Sequence, residues 1–235
     1  MGEHTVSSFD QELNQIDRLI RAMGDTAGTM VASSIQALLK GDAAQGQRVI
    51  SEDAVMDDRQ RELDDRAITL IAKRQPMAQD LRAVVGAIRM AGDLERIGDL
   101  AKNIAKRVSA VGETSMPKSL THGIEAMSKL VLEQVNDVVD LYVSRNAQGL
   151  TELRDNDEKI DVRYTAVFRE LLTYMMEDPR NITACTHLLF CAKNLERIGD
   201  HVTNIAENAY YVVTGEQLPV SRPKHDETTA AIVGA

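Results

Sequence analysis

The chain has 235 residues and carries 36 acidic against 27 basic side chains, a formal charge of -9. This acidity argues against binding to nucleic acid or to an anionic membrane surface, because both need a basic face. Aromatic residues make up only 3%, which argues against a platform on which bases stack. The length allows one large domain or two of roughly 100–120 residues, with a core that needs no disulfide bonds.

The expected compartment is the cytoplasm. The first dozen residues have neither a basic nor an apolar run, so no signal peptide is predicted. No window of about 18 residues is free of charge, so no membrane span is predicted. Cys185 and Cys191 lie on one predicted helix, nearly two turns apart, and indicate reduced thiols.

The N-terminal part has the spacing of a long amphipathic helix. Steps of three and four predict one buried face, formed by Leu13, Ile16, Ile20, Met23, Ala27, Met30, Ser34 and Leu38. Lys40-Gly41-Asp42 then predicts a glycine stop followed by a new N-cap. Gln45 completes the spacing of a capping box.

Two further helices are expected before residue 112. The second is predicted to run to about Arg74, and Pro76 is expected at the first position of the third. The third helix is predicted to continue to roughly Val111. Residues 112–117 are predicted to form a linker.

The second half of the chain repeats this arrangement. The fourth helix is predicted from Ile124, Met127, Val131, Val135, Val138 and Tyr142. Residues 145–149 match 40–44 in role. A fifth helix is predicted without a break from Leu150, Leu153, Asp157, Ile160, Tyr164, Val167, Leu171 and Tyr174. Asp178-Pro179 predicts the start of a sixth.

A sequence repeat supports duplication. The segment DLERIGDLAKNIAKR at 93–107 has a similar copy, NLERIGDHVTNIAEN, at 194–208, 101 positions later. A period of this size indicates duplicated domains. We therefore predict an all-α fold of tandem three-helix bundles, with six long up-down helices. The expected domains are residues 1–115 and 116–214, and the polar segment 215–235 is predicted to be disordered.

Acidic side chains recur along one ridge of the third and sixth helices. Like charges at i and i+4 destabilise a helix, so this pattern calls for a reason. The ridge comprises Glu95, Asp99 and Asn103, and its repeat comprises Glu196, Asp200 and Asn204.

The preceding helices carry acidic pairs of the same spacing, Asp53 with Asp57 and Asp157 with Asp161. Counted from the turns between antiparallel helices, each pair is level with its opposing ridge to about 3 Å. Each bundle is therefore predicted to bring four carboxylates together, and cations relieve such repulsion most simply. Oxygen ligands favour Mg²⁺, Mn²⁺, Ca²⁺ or oxidised iron.

Alternatives to a metal site remain open for these residues. The acidic ridge can be a solvated face with an ion pair between Arg96 and Asp99. His201 can be a ligand or, as the commoner case, a solvated helix residue. Gly98 and Gly199 more often mark a close approach of two helices than access for a ligand. No nucleophile–base pair is indicated by spacing.

The doubled LERIGD motif, together with QPMAQDLR at 75–82, resembles the PhoU family over about residues 9–214. The segment DPRNIT at 178–183 departs from the pattern of the first repeat. The resemblance implies two similar three-helix bundles, often a homodimer. It also implies metal clusters on Glu95–Asp99 and Glu196–Asp200, faced by Asp53–Asp57 and Asp157–Asp161.

The resemblance further implies a non-enzymatic cytoplasmic regulator of phosphate uptake that restrains the phosphate (Pho) regulon when phosphate is plentiful. The implied partners are the sensor histidine kinase PhoR and the ATPase PstB of the phosphate ABC transporter. Two other hypotheses are kept beside it. One is a metal-dependent enzyme acting on phosphate or polyphosphate, since clustered carboxylates with cations suit phosphoryl chemistry. The other is a helical scaffold without metal.

Overall fold

A computed structural model describes residues 2–111 and 118–218, with side chains described for residues 9–111 and 121–218. All the regular structure in these ranges is helical. The elements are α1 (Gly2–Lys40), α2 (Ala43–Arg74), α3 (Gln79–Ala105), α4 (Val108–Val111), α5 (Lys118–Val143), α6 (Ala147–Asp155), α7 (Glu158–Glu177), a 3₁₀ turn (Pro179–Asn181) and α8 (Ile182–Thr214).

Two three-helix bundles lie side by side, as predicted. In the first, α1, α2 and α3 pack on one another; in the second, α5 and α8 pack with α6 and α7, which together replace the predicted fifth helix. The bundles meet along α1 and α5 and along α3 and α8. Helices α3 and α8 are antiparallel, because Arg82 near the start of α3 stacks on Tyr211 near the end of α8, whereas Arg107 just after α3 contacts His187 near the start of α8.

The predicted apolar faces form the core. The α1 face from Ile16 to Leu38 is buried throughout, with Leu13 partly buried at its end, and the predicted α5 face is buried as well. Ser34 is tolerated in this core because its hydroxyl donates to the carbonyl of Val31 at 2.8 Å. The buried residues of both bundles form one continuous cluster, so the repeats share a core.

The turns after α1 and α5 match as expected. Gly41 has φ 64°, and the Asp42 carboxylate accepts from the backbone N–H of Gln45 at 2.9 Å. The Asn146 side chain accepts from Gly149 N–H at 3.0 Å in the same way. The reciprocal half of the capping box is not formed, because the Asp42 N–H donates to the carbonyl of Ala37 at 2.9 Å, and the Gln45 amide donates to Gln36.

The start of the third helix differs from the prediction. Pro76 is not at its first position, since α3 begins at Gln79. Gln75 takes a left-handed conformation (φ 48°) and its N–H closes the end of α2 on the carbonyl of Ile71. Three residues are then needed to reverse the chain, and Ala78 has φ 46°.

Two predicted helices are interrupted. The third ends at Ala105, and a turn at residues 106–107 separates it from α4, which ends at Val111. The fifth is broken at Asn156 and Asp157. Here the Asn156 N–H reaches the carbonyls of both Glu152 and Leu153 in a tightened turn.

The end of α8 is as expected, with Gly215 at φ 82° and its N–H bonded to Tyr211. The predicted linker at 112–117 and residues 219–235 of the predicted tail lie outside the described residues. Within the described ranges, no helix combines the length and the apolarity that crossing a membrane requires.

Candidate metal centres

In the first bundle, a lysine joins the opposing carboxylates. The Lys102 ammonium of α3 donates to Asp53 of α2 at 2.5 Å and to Asp99 of α3 at 2.6 Å. All three side chains are largely buried, with 15–27% of their surface exposed. One ammonium therefore bridges carboxylates from two helices, which places Asp53 level with Asp99 as the register of the turns predicts.

Glu95 and Asp57 lie beside the same cluster. Burial raises the pKa of Glu95, and the charges of Asp99 and Asp57 add to the rise, although Arg96 opposes it. Burial also acts to raise the pKa of Asp99, but the hydrogen bond from Lys102 and the charges of Lys102 and Arg96 outweigh it and lower that pKa. The four carboxylates share one electrostatic environment, and Lys102 supplies its principal positive charge.

The surface alternative for this ridge is partly correct. Arg96 donates to Asp99 at 3.1 Å and approaches Glu95 at 3.4 Å. However, the side chain of Glu95 is only 15% exposed. The ridge is therefore the rim of a half-buried cluster rather than an open acidic face.

The equivalent carboxylates of the second bundle are more deeply buried. Asp157, Asp161 and Glu196 are 2%, 6% and 7% exposed, and Asp200 is half-buried. Lys193 donates to Glu196 Oε1 at 2.8 Å. Burial raises the pKa of Glu196; Lys193 opposes the rise, whereas the charges of Asp200 and Asp161 add to it. Glu196, Asp161 and Asp200 therefore lie close enough to repel one another.

Glu196 has a carboxylate oxygen that lacks a proton donor. Glu196 Oε2 is buried and makes no hydrogen bond with any described residue. A buried carboxylate oxygen without a donor is costly. It is also the kind of atom that a hard cation accepts as a ligand.

The glycines of the two motifs allow close helix packing, as predicted. A Cβ placed on Gly199 would lie 2.8 Å from Asp157 Oδ1 and 3.0 Å from Ile160 Cδ1. A Cβ on Gly98 would lie 3.3 Å from Met56 Cγ of α2. Gly199 thus lets α8 approach the carboxylate of Asp157 directly.

The two asparagines of the ridge point elsewhere. Asn204 donates weakly to Asp93 at 3.4 Å across the boundary between the bundles. Asn103 lines a separate cavity between α3 and α8. Within the described part of the chain, neither makes a hydrogen bond to the predicted acidic ligands.

His201 has a role that neither sequence alternative describes. Its Nδ1 lies 2.9 Å from Oδ1 of Asp93, which belongs to the other bundle. Its side chain is 20% exposed. His201 therefore ties α8 to α3 next to the carboxylates of both repeats.

The two carboxylate clusters differ in how well they suit a bound metal ion. As they stand, no three His, Cys, Asp or Glu side chains in the described ranges converge into a group that could hold an ion. In the first bundle, Lys102 supplies the positive charge that a cation would bring. In the second, the equivalent position is Thr203, which is buried and uncharged. The second cluster, with its buried Glu196 oxygen, fits a hard cation better.

Sequence reasoning missed Lys102, Lys193 and Thr203. The signal for Lys102 was available, because a lysine three residues after Asp99 lies on the same helix face. The partner on α2 was not readable, since it depends on how the helices are rotated. Lys193 could also have been recognised, because its partner Glu196 lies three residues later on the same helix.

Two three-helix bundles with paired acidic motifs on facing helices define the class of fold and site. A family model described as the PhoU domain matches residues 20–108 and again 124–209. The chain belongs to the PhoU family. This confirms the resemblance stated from the LERIGD motifs.

Similar proteins are found over nearly the whole chain. The "phosphate-specific transport system accessory protein PhoU homolog" of Rhizobium meliloti (strain 1021) is 55% identical over 226 residues, which are 96% of this chain and 95% of the relative. The crystal structure of PhoU from Pseudomonas aeruginosa has a TM-score of 0.85 at 32% identity, covering 88% of this chain and all of that one. The crystal structure of the phosphate transport system regulatory protein PhoU from Streptococcus pneumoniae has a TM-score of 0.82 at 28% identity, covering 90% and 100%.

Proposed function

We propose that this protein is a cytoplasmic, non-enzymatic accessory protein that restrains phosphate uptake and the Pho regulon when phosphate is plentiful. The observation that carries the proposal is the 55% identity, over almost the full length of both chains, to a protein named as an accessory of the phosphate-specific transport system. The duplicated fold, shared with structures titled PhoU, supports it.

The proposed mechanism is adaptor binding between a PhoR-type sensor kinase and a PstB-type transporter ATPase. An acidic chain of packed helices offers long rigid faces for such partners. The protein is further proposed to act as a homodimer.

Metal ions are proposed to bind at the acidic clusters. In the second bundle, Glu196, Asp200, Asp157 and Asp161 would hold the ion; in the first, Glu95, Asp99, Asp53 and Asp57 would do so once Lys102 moves aside. A bound Mg²⁺, Mn²⁺ or iron ion would supply positive charge that holds facing helices together. The protein itself would contribute partly or fully buried carboxylate oxygens, held at matching heights on facing helices, as ligands for the ion.

The decisive test of the regulatory role is genetic. Deletion of the gene is expected to derepress phosphate-scavenging genes in phosphate-rich medium, and the wild-type gene is expected to restore repression. Unchanged expression in the deletion strain would refute the regulatory role. Pull-down of the kinase and of the ATPase with purified protein tests the adaptor step separately.

The metal part is tested by elemental analysis of untagged protein and by calorimetry with Mg²⁺ and Mn²⁺. Glu196→Gln with Asp200→Asn is expected to abolish binding in the second bundle, whereas Glu207→Gln, an exposed acid on the same helix, serves as the matched control. If the wild-type protein shows neither metal content nor a titration signal, the metal-free scaffold is correct. Phosphatase turnover by metal-loaded protein that disappears in Asp99→Ala would instead establish the enzyme hypothesis.

A further inference from the structure

A donor-lined cavity lies where the end of α3 meets the first half of α8. Its volume is about 400 Å³, within the range of sites for small ligands. Its polar lining and one aromatic ring come from Asn103, Lys106, Arg107, His187, Phe190 and Asn194. In the described part of the chain, no Asp or Glu lines it, although the whole protein carries a charge of -9.

The two cations of this cavity are not used in ion pairs. Neither Lys106 nor Arg107 lies within 4.0 Å of a carboxylate oxygen of the described residues. Unpaired basic side chains in an acidic protein are available to an external anion. The cavity therefore differs from the acidic clusters, where Lys102 and Arg96 are already paired.

The Arg107 guanidinium is held in place by two neighbours. Its Nη1 donates to His187 Nδ1 at 3.2 Å, and its Cζ lies 4.3 Å from the centroid of the Phe190 ring. Because a guanidinium has no acceptor, Nδ1 of His187 must accept, which leaves the ring proton on Nε2. The imidazole is thus fixed as a further donor, and an ordered arginine loses less freedom on binding an anion.

The internal duplication provides a comparison for this cavity. The other groove between α3 and α8, of about 630 Å³, is lined by the equivalent residues of the opposite repeats. Residues 101 positions apart are equivalent in the two repeats. In the other groove, Lys106 is therefore replaced by Glu207, Arg107 by Asn208 and Asn194 by Asp93. The same backbone geometry therefore carries carboxylates in one groove and, among the described residues, none in the other.

We propose that the donor-lined cavity binds a small anion through its phosphate group. A phosphate dianion presents acceptor oxygens on all sides, and it matches a site that contains ammonium, guanidinium, imidazole and amide donors. Phe190 is 49% exposed beside these donors and offers a face for a planar group. Inorganic phosphate and a nucleoside monophosphate share the phosphate group that the site recognises. Only the nucleoside monophosphate also has a base that can stack on the Phe190 ring. The site is separate from the acidic clusters and does not depend on metal.

The test is calorimetric titration of the full-length, metal-free protein with inorganic phosphate and, separately, with AMP at constant ionic strength. Saturable binding is expected. Asn194→Asp, which installs the residue found at the equivalent position, is expected to weaken binding roughly tenfold or more. Lys106→Glu is expected to do the same. The Lys106 side chain is exposed and makes no hydrogen bond or ion pair with the described residues, so this change should not disturb folding. Arg89→Gln, in the other groove, is the matched control and is expected to leave Kd unchanged.

The outcomes separate the sources of the phosphate. Equal affinity for both ligands supports recognition of phosphate alone. Tighter binding of AMP, reduced by Phe190→Leu without change for inorganic phosphate, supports a nucleotide stacked on the ring. Absence of saturable binding by either ligand overturns the proposal. So does binding that survives both Asn194→Asp and Lys106→Glu, or that is weakened equally by Arg89→Gln.

Discussion

Lys102 and Thr203 occupy equivalent positions in the two repeats, but only Lys102 neutralises the carboxylates beside it. Lys102 bridges Asp53 and Asp99, whereas Thr203 is buried with a hydroxyl that finds no hydrogen-bond partner among the described residues. Two sites built from the same motif therefore place their lysine differently, since the second cluster has Lys193 bonded to Glu196 instead. In the first, Lys102 bridges carboxylates of two helices, whereas in the second Lys193 binds one oxygen of Glu196 and the other oxygen stays buried without a donor.

Replacing Lys102 by the threonine of the second repeat should expose this difference. Lys102→Thr leaves the partly buried Asp53 without its cation and Asp99 with Arg96 alone, so we expect the unfolding free energy to fall by about 1–3 kcal/mol without metal. Lys129→Thr is the control, because its pair with Glu125 is exposed. Chemical denaturation of both variants measures the difference, and equal losses would contradict the proposed role of Lys102. If the cluster binds divalent cations, adding Mn²⁺ should restore stability to Lys102→Thr more than to the wild type.

Glu196 should make stability depend on pH. Its folded-state pKa lies above its ordinary value because it is buried. Ionising it therefore costs stability at neutral pH, and this cost disappears as the pH falls below the unfolded-state pKa.

For metal-free protein, Glu196→Gln removes that cost. We expect the melting temperature at neutral pH to rise by about 2–4 °C and the difference to vanish at acidic pH. The exposed Glu207→Gln should show neither effect. A Glu196→Gln protein less stable than wild type at pH 7, with metal removed, would show that the hydrogen bond from Lys193 outweighs burial.

Gly199 should not tolerate a methyl group. The Cβ of Gly199→Ala would lie 2.8 Å from Asp157 Oδ1 and 3.0 Å from Ile160 Cδ1, so the buried side chains packed against it, or α8 itself, must shift. We expect a loss of about 1–3 kcal/mol, larger than the gain in helix propensity. Gly92→Ala is the control, because its Cβ would meet nothing closer than Gln60 Nε2 at 3.9 Å. That variant should gain about 0.5–1 kcal/mol, and thermal unfolding distinguishes the two.

Tyr142 should help to hold the bundles together. Its hydroxyl donates to Asp17 at 2.5 Å, from α5 to α1, and the ring is 1% exposed. Burial, followed by the charge of Asp17, raises the pKa of Tyr142, so it stays a donor at any ordinary pH. Tyr142→Phe is expected to cost about 1–2 kcal/mol. Tyr210→Phe, on a half-exposed residue, should be nearly neutral by denaturant titration.

The sequence alone predicts much of the fold. The three-four spacing of α1 and α5 identified their buried faces, since helix periodicity alone decides which side chains share a face. The breaks at Asn156 and after Ala105 were missed, because the apolar pattern continues through both. Only the local hydrogen bonds show that the helix tightens there.

The sequence predicted which acidic residues form pairs and that the pairs lie at matching heights on facing helices. In the structure, Lys102 joins Asp53 to Asp99 at one height. The residues that set their charge were not predicted. Neither was the link from His201 to Asp93, because that contact depends on how one bundle sits against the other.

The sequence by itself determined the helical class, the duplication and the positions of eight acidic side chains, since these follow from periodicity, repetition and composition. The tertiary structure alone decided which carboxylates are neutralised, how deeply each is buried, and which groove between α3 and α8 is lined, among the described residues, without a carboxylate. The physical reason is that periodicity acts along one helix. Burial and charge compensation depend on the rotation and distance between helices, which only packing sets.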